Sequence, residues 1–127
     1  MARMTRTQVT GTTPAGAYSP GIIAEGRFLY VSGQGPLVDG VYTAADVATE
    51  TRLALENVGR ILENAGAGFA DVVRCGVFLA DINDFAAMNE VYSTFFPEPK
   101  PARTTVQAAA LPGGIQVEID CVVVLPA

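Results

Sequence analysis

The chain has 127 residues, half of them hydrophobic and only 17% charged, with a net charge of −5 and no histidine. At this length one domain spanning residues 1–127 is expected, and so low a charged fraction favours self-association over a lone small domain. Eight scattered basic residues argue against nucleic acid or a membrane surface as partner, and the missing imidazoles remove histidine bases and argue against a zinc or iron site.

Residues 1–15 are Thr-rich and lack periodicity, and residues 1–8 are expected to be loosely ordered. No apolar stretch follows the basic start as it would in a signal peptide, and none approaches the roughly twenty residues of a membrane span. A cytoplasmic location is the expectation. Gly16-Ala17-Tyr18-Ser19-Pro20-Gly21 reads as a turn-rich loop. Residues 28–32 form a strand ended by Gly33. Gly35-Pro36 and Asp39-Gly40 mark a loop and a turn.

Thr43 and Asp46 have the spacing of a capping box. Val47, Thr51, Ala54, Leu55, Val58, Ile61, Leu62 and Ala65 then form one helical stripe, which Gly66 can end. Residues 71–80 alternate as a strand, with Val73, Cys75, Val77 and Leu79 on one side. Residues 81–84 offer several helix caps, and Phe85, Met88, Tyr92 and Phe95 recur at helical spacing as a core stripe. Pro97 and Pro99 stop that helix. Residues 103–111 and 115–125 are two further strands, parted by Pro112-Gly113-Gly114. Whether these two pair with each other stays open. The pattern describes an α+β domain with two helices on one face of a sheet. Cys75 and Cys121 lie in apolar strand patterns and are expected to be buried, reduced thiols.

Three places carry chemistry. Pro101-Ala102-Arg103-Thr104-Thr105-Val106 puts a lone guanidinium at a strand start, and a guanidinium grips a planar carboxylate through two parallel hydrogen bonds. The competing reading of Arg103 is a strand-end ion pair with Asp81 or Glu98. In the final strand Ile115, Val117, Ile119, Cys121 and Val123 make an apolar face, while Gln116, Glu118 and Asp120 share the other with Val122 and Val124. Glu118 and Asp120 fit a solvated face or a proton-handling pair. A sheet face mixing acids with valine suggests a surface covered by another subunit. In Tyr30-Val31-Ser32-Gly33-Gln34-Gly35 the dinucleotide-binding pattern fails, because Val38 stands at the third glycine and no helix follows. Gly33 more simply lets a ligand approach bare backbone, and Tyr18 could cover such a ligand.

The combination of Gly16-Ala17-Tyr18-Ser19, Val31-Ser32-Gly33-Gln34, Glu56-Asn57-Val58, Ala65-Gly66, Asn89-Glu90-Val91-Tyr92, Pro101-Ala102-Arg103-Thr104, Leu111-Pro112 and Val117-Glu118-Ile119 resembles the RidA (YjgF/YER057c/UK114) family of reactive-intermediate deaminases. The resemblance runs from about residue 9 to residue 124. It implies a chorismate-mutase-like α+β fold with a mixed sheet, two helices on one face, and a homotrimer with clefts between subunits. It implies hydrolysis of 2-imino and enamine acids to 2-keto acids and ammonia, as in 2-iminobutanoate/2-iminopropanoate deaminases, with no metal or organic cofactor. On the same footing, Arg103 holds the substrate carboxylate and Glu118 orients or activates water. The Gly33 carbonyl and the Thr105 amide position the substrate, Tyr18 lies over the pocket, and Asn89 lies near it. Ala17, Pro20, Thr105 and Asp120 depart from the common pattern, which bears on substrate range. The alternatives are a non-catalytic keto-acid or carboxylate-binding module in the same cleft and, against the acidic charge, an endoribonuclease or translation inhibitor.

Overall fold

The computed structural model describes residues 5–127. Among these the order is β1 (Arg6–Val9), β2 (Gly21–Ala24), β3 (Phe28–Gln34), β4 (Leu37–Val38), β5 (Val41–Tyr42), α1 (Val47–Asn64), β6 (Val72–Leu79), α2 (Phe85–Phe95), β7 (Ala102–Gln107) and β8 (Val117–Val124). The main sheet has the order β3-β8-β6-β7, with β8 antiparallel to both neighbours and β6 parallel to β7. The last two strands therefore do not pair. β8 takes the centre because its second half, Val122 to Val124, is apolar on both faces, the pattern of an interior strand. β7, with polar residues at alternate positions, takes the edge.

One sheet face carries Val31, Cys75, Val77, Leu79, Val117, Ile119, Cys121 and Val123, all buried against Leu55, Val58 and Leu62 of α1 and Met88 and Tyr92 of α2. Both helices thus pack on one face of a mixed sheet. Cys75 and Cys121 are free thiols directly opposite each other, with sulfurs 3.4 Å apart. α1 is capped by Asp46, whose carboxylate accepts from the Thr49 amide at 2.7 Å. The capping box expected from Thr43 does not form, because Asp46 is itself the cap. Gly66, at φ 75°, ends the helix as expected. α2 follows a single 3₁₀ turn at Ile82–Asp84, where Asp81 accepts from the Asn83 amide at 2.9 Å.

Three further expectations are corrected. The N-terminal segment is not loose from Arg6 on: β1 pairs with β2, Arg6 Nε donates to the Val72 carbonyl at 2.8 Å, and Arg6 Nη2 donates to the Pro99 carbonyl at 2.6 Å. Residues 1–4 lie outside the described residues. In β6 a register shift between Val72 and Arg74 brings Val72, not Val73, to the core face. The strand expected over residues 103–111 ends at Gln107. The Asp39-Gly40 turn, with φ of 50° and 78°, joins β4 to β5 in a short hairpin.

Candidate functional site

Arg103 is the second residue of the edge strand β7 and lies under α2. Its register partner is Cys75, so its side chain stands on the helix-packed face. Three rings surround the guanidinium: Cζ lies 4.7 Å from the Tyr92 ring centre, and 5.3 Å from those of Tyr18 and Phe85. Asn89 completes the cage, its Oδ1 accepting from Arg103 Nη1 at 2.8 Å. The same oxygen accepts from the Ala17 amide at 3.3 Å and so ties the Tyr18 loop to the cage. Gly16 packs tightly here, since a Cβ on it would stand 2.9 Å from Arg103 Nη2 and 3.3 Å from Asn89 Oδ1.

Arg103 Nη2 is buried without a hydrogen-bond partner. The expected ion pair with Asp81 or Glu98 is not formed; Glu98 instead lies 4.0 Å from Lys100. Burial pushes the guanidinium pKa down, against the opposing pull of Tyr92, Cys75 and Tyr18, but an arginine stays protonated at any ordinary pH. Desolvating a cation costs several kcal/mol, and cation–π contacts return only about 0.5–2 kcal/mol each. The cage therefore orients the charge more than it neutralises it. An anion from outside the chain would complete it. Burial, reinforced by Cys75, drives the Tyr92 phenol far above its ordinary range, so Tyr92 is a wall and not a base. Thr105 shares the face of Arg103, and its Oγ1 is likewise buried without a partner.

The second cluster sits on the opposite face. Glu118 pairs with Phe78, three residues from Cys75, and so points away from the helices. Between Val31 and Gln34 the register of β3 against β8 slips by one residue, and this bulge seats Gly33 against the Glu118 carboxylate. A Cβ at Gly33 would lie 2.5 Å from Glu118 Oε2. A cavity of about 370 Å³ opens beside it, lined by Gly33, Gln34, Gly35, Asn57 and Arg60 among others. Asp120 is engaged elsewhere, accepting from the Gly76 amide at 2.9 Å, over a glycine whose Cβ would clash with it. It serves the sheet.

The chain thus brings together Arg103, Asn89 and Tyr18, with Thr105 on the same face, and separately Gly33 and Glu118. It does not bring Arg103 to Glu118, because the sheet lies between them. Phe85, Tyr92 and Gly16 were missed as site residues. The signal was present in Phe85, Asn89 and Tyr92, which at spacings of four and three share one helix face. Met88 and Tyr92 do form core, as the stripe implied, and Tyr92 also serves the cage.

Comparison with known proteins gives a consistent picture. The family model described as endoribonuclease L-PSP matches residues 10–125. A rat protein named 2-iminobutanoate/2-iminopropanoate deaminase is 45% identical over 124 residues, covering 91% of this chain and 86% of its own. YyfB of Yersinia pestis, described as a member of the Rid protein family, has a TM-score of 0.81 at 28% identity and covers 96% of this chain and 100% of that one. Escherichia coli TdcF, solved with bound serine, has a TM-score of 0.73 at 36% identity and covers 98% of this chain and 97% of that one.

Proposed function

The chain belongs to the endoribonuclease L-PSP (YjgF/RidA) family, and from that membership we propose that it hydrolyses small 2-imino acids to 2-keto acids and ammonia. The observation that carries this reading is the Arg103 cage, a guanidinium whose Nη1 donates to Asn89 while its buried Nη2 has no hydrogen-bond partner, with no carboxylate paired to it among the described residues. Two sources of support stand beside it: the deaminase name of the rat relative, and the serine, a small amino acid, bound to TdcF.

The active unit is a cleft between copies of this chain, with Arg103, Asn89, Tyr18 and Thr105 from one protomer and Gly33 and Glu118 from its neighbour. What supports this is the two-faced arrangement, together with the apolar surface around Glu118. Tyr30 is 73% exposed on that sheet face, and Phe28 and Val106 are exposed beside it. A second copy would cover such a patch, and closed rotational symmetry would repeat the cleft, as in a homotrimer.

The chemistry needs little else. Arg103 pins the carboxylate and so fixes the imine carbon. Glu118 takes a proton from water as its oxygen bonds to that carbon. The C=N electron pair moves to nitrogen, which receives the proton. The carbinolamine hydroxyl proton then passes through Glu118 to the nitrogen, the C–N bond breaks to release ammonia, and the O–H electron pair becomes the new carbonyl bond. General acid–base help of this kind is worth roughly 10²–10⁴-fold. The family's endoribonuclease description does not fit a chain with net charge −5 and no histidine.

The test is ammonia release from imines generated in place by an amino-acid oxidase. Arg103→Ala is expected to abolish the acceleration. Glu118→Gln is expected to slow turnover by about 10²-fold or more while keeping 2-ketobutyrate binding in calorimetry. Wild-type binding without turnover would instead make the protein a carboxylate-binding module.

A further inference from the structure

Two polar residues of α1 are absorbed by none of the chemistry above. Glu50 is completely buried, although it is a carboxylate in the first turn of a helix. Its Oε1 accepts from the Gln116 amide at 2.9 Å. Its Oε2 accepts from the Tyr42 hydroxyl at 2.8 Å, the Ala45 amide at 3.1 Å and Gln116 Nε2 at 2.7 Å. Asn57, two helical turns further on and so on the same side of α1, donates through Nδ2 to the Gly35 carbonyl at 2.8 Å and to the Leu37 carbonyl at 2.9 Å. Arg60 donates to Asn57 Oδ1 and so fixes which way the amide points.

Each of the two residues makes a contact just outside a site residue. Gln116 is two residues before Glu118 and Gly35 is two residues after Gly33. The β3 end is the segment that needs an anchor, and the β8 start is the firm strand it is set against. The β3 end is bulged out of register and leads into a loop containing Pro36, and the β8 start follows the Pro112–Gly114 turn. The β3 end therefore lacks a continuous ladder, whereas the β8 start stays paired to β6 through Val117, and the Gln116 carbonyl accepts from the Ala80 amide at 3.0 Å. Gly35 is also packed tightly, since a Cβ on it would come within 2.8 Å of Ile115 Cδ1.

We infer that Glu50 and Asn57 are positioning residues, a clamp by which α1 sets the Gly33 backbone against the Glu118 carboxylate. The inference rests on the deaminase reading for its consequence in turnover, but not for its geometry. The Arg103 cage is built from β7, α2 and the Tyr18 loop and makes no hydrogen bond to either residue. Releasing the clamp therefore separates carboxylate anchoring from water delivery. A group misplaced by a fraction of an ångström loses rate steeply.

The experiment uses Asn57→Ala and Asn57→Asp, which sit on a partly exposed side chain, with Arg52→Ala on the outer side of α1 as control. The two Asn57 variants are expected to lose on the order of tenfold in kcat while the Kd for 2-ketobutyrate stays within about twofold and Arg52→Ala is unchanged. Wild-type kcat in both Asn57 variants overturns the clamp, as does an equal loss of affinity and rate. A crystal structure of Asn57→Ala gives a second readout that needs no activity. The clamp requires residues 33–37 to shift relative to Glu118, and an unmoved segment overturns it. A wild-type protein inert towards imines would sink the deaminase reading, while the crystal structure would still decide the clamp.

Discussion

At Gly16, Arg103 and Asn89 the site depends on what is missing as much as on what is present. The guanidinium packs directly against Gly16, which has no Cβ, and its buried Nη2 has no hydrogen-bond partner among the described residues. Gly16→Ala is expected to push Nη2 off its position and to weaken 2-ketobutyrate binding by about tenfold, equivalent to roughly 1.4 kcal/mol. Calorimetry beside a thermal melt checks this; unchanged affinity would show that the loop has room to spare. At this scale the sequence was legible where a residue type is rare. An isolated Arg in an acidic chain stands out, and Asn89 and Tyr18 came with it through their motifs. Phe85 and Tyr92 were not, since an aromatic on a helix stripe looks the same whether it meets a leucine or a guanidinium. Asp120 was legible only as an acid. Its bond to the Gly76 amide depends on cross-strand register, which no local pattern encodes.

α1 is the element that does the most. One stripe supplies core, and two polar residues outside that pattern reach the strand ends. Glu50 escaped the sequence reading because a glutamate in a first helical turn ordinarily faces solvent, where it favours the helix dipole. Here burial alone would raise its pKa, but the bonds from Gln116, Tyr42 and Ala45 outweigh it, so the carboxyl sits below its ordinary value. A depressed carboxyl pKa contributes stability that is fully present above the unfolded value and is lost as pH falls through the folded one. Glu50→Gln removes the charge and leaves its amide nitrogen facing at least one of the four donors around the carboxylate, and is expected to cost about 1–3 kcal/mol near neutrality. That gap should narrow as pH falls below about 4.3, which urea titrations at several pH values will show. A gap that stays constant into acid would mean that the charge does not matter. β1 and β2 were illegible for a different reason. They are four residues each, and their order comes from distant partners, with Arg6 reaching Val72 and Pro99.

For the molecule as a whole, the fold follows from pattern: two amphipathic helices, a β8 apolar on both faces, and an edge strand with polar alternation leave few other arrangements. The strand order could not be read in advance, because antiparallel and parallel neighbours of β6 both satisfy its apolar face. The placement of Arg103 and Glu118 on opposite faces is the feature with the largest consequence. On the proposed reading a single protomer is an incomplete enzyme, and a second copy covers the exposed Tyr30 face. The most direct measurement is to fold Arg103→Ala and Glu118→Gln, each inactive alone, together in equal amounts. If every cleft draws its arginine from one copy and its glutamate from the next, about a quarter of the clefts in the mixed assemblies regain both, and imine hydrolysis returns in that proportion. Activity no greater than the sum of the two variants measured apart would contradict a site shared between copies.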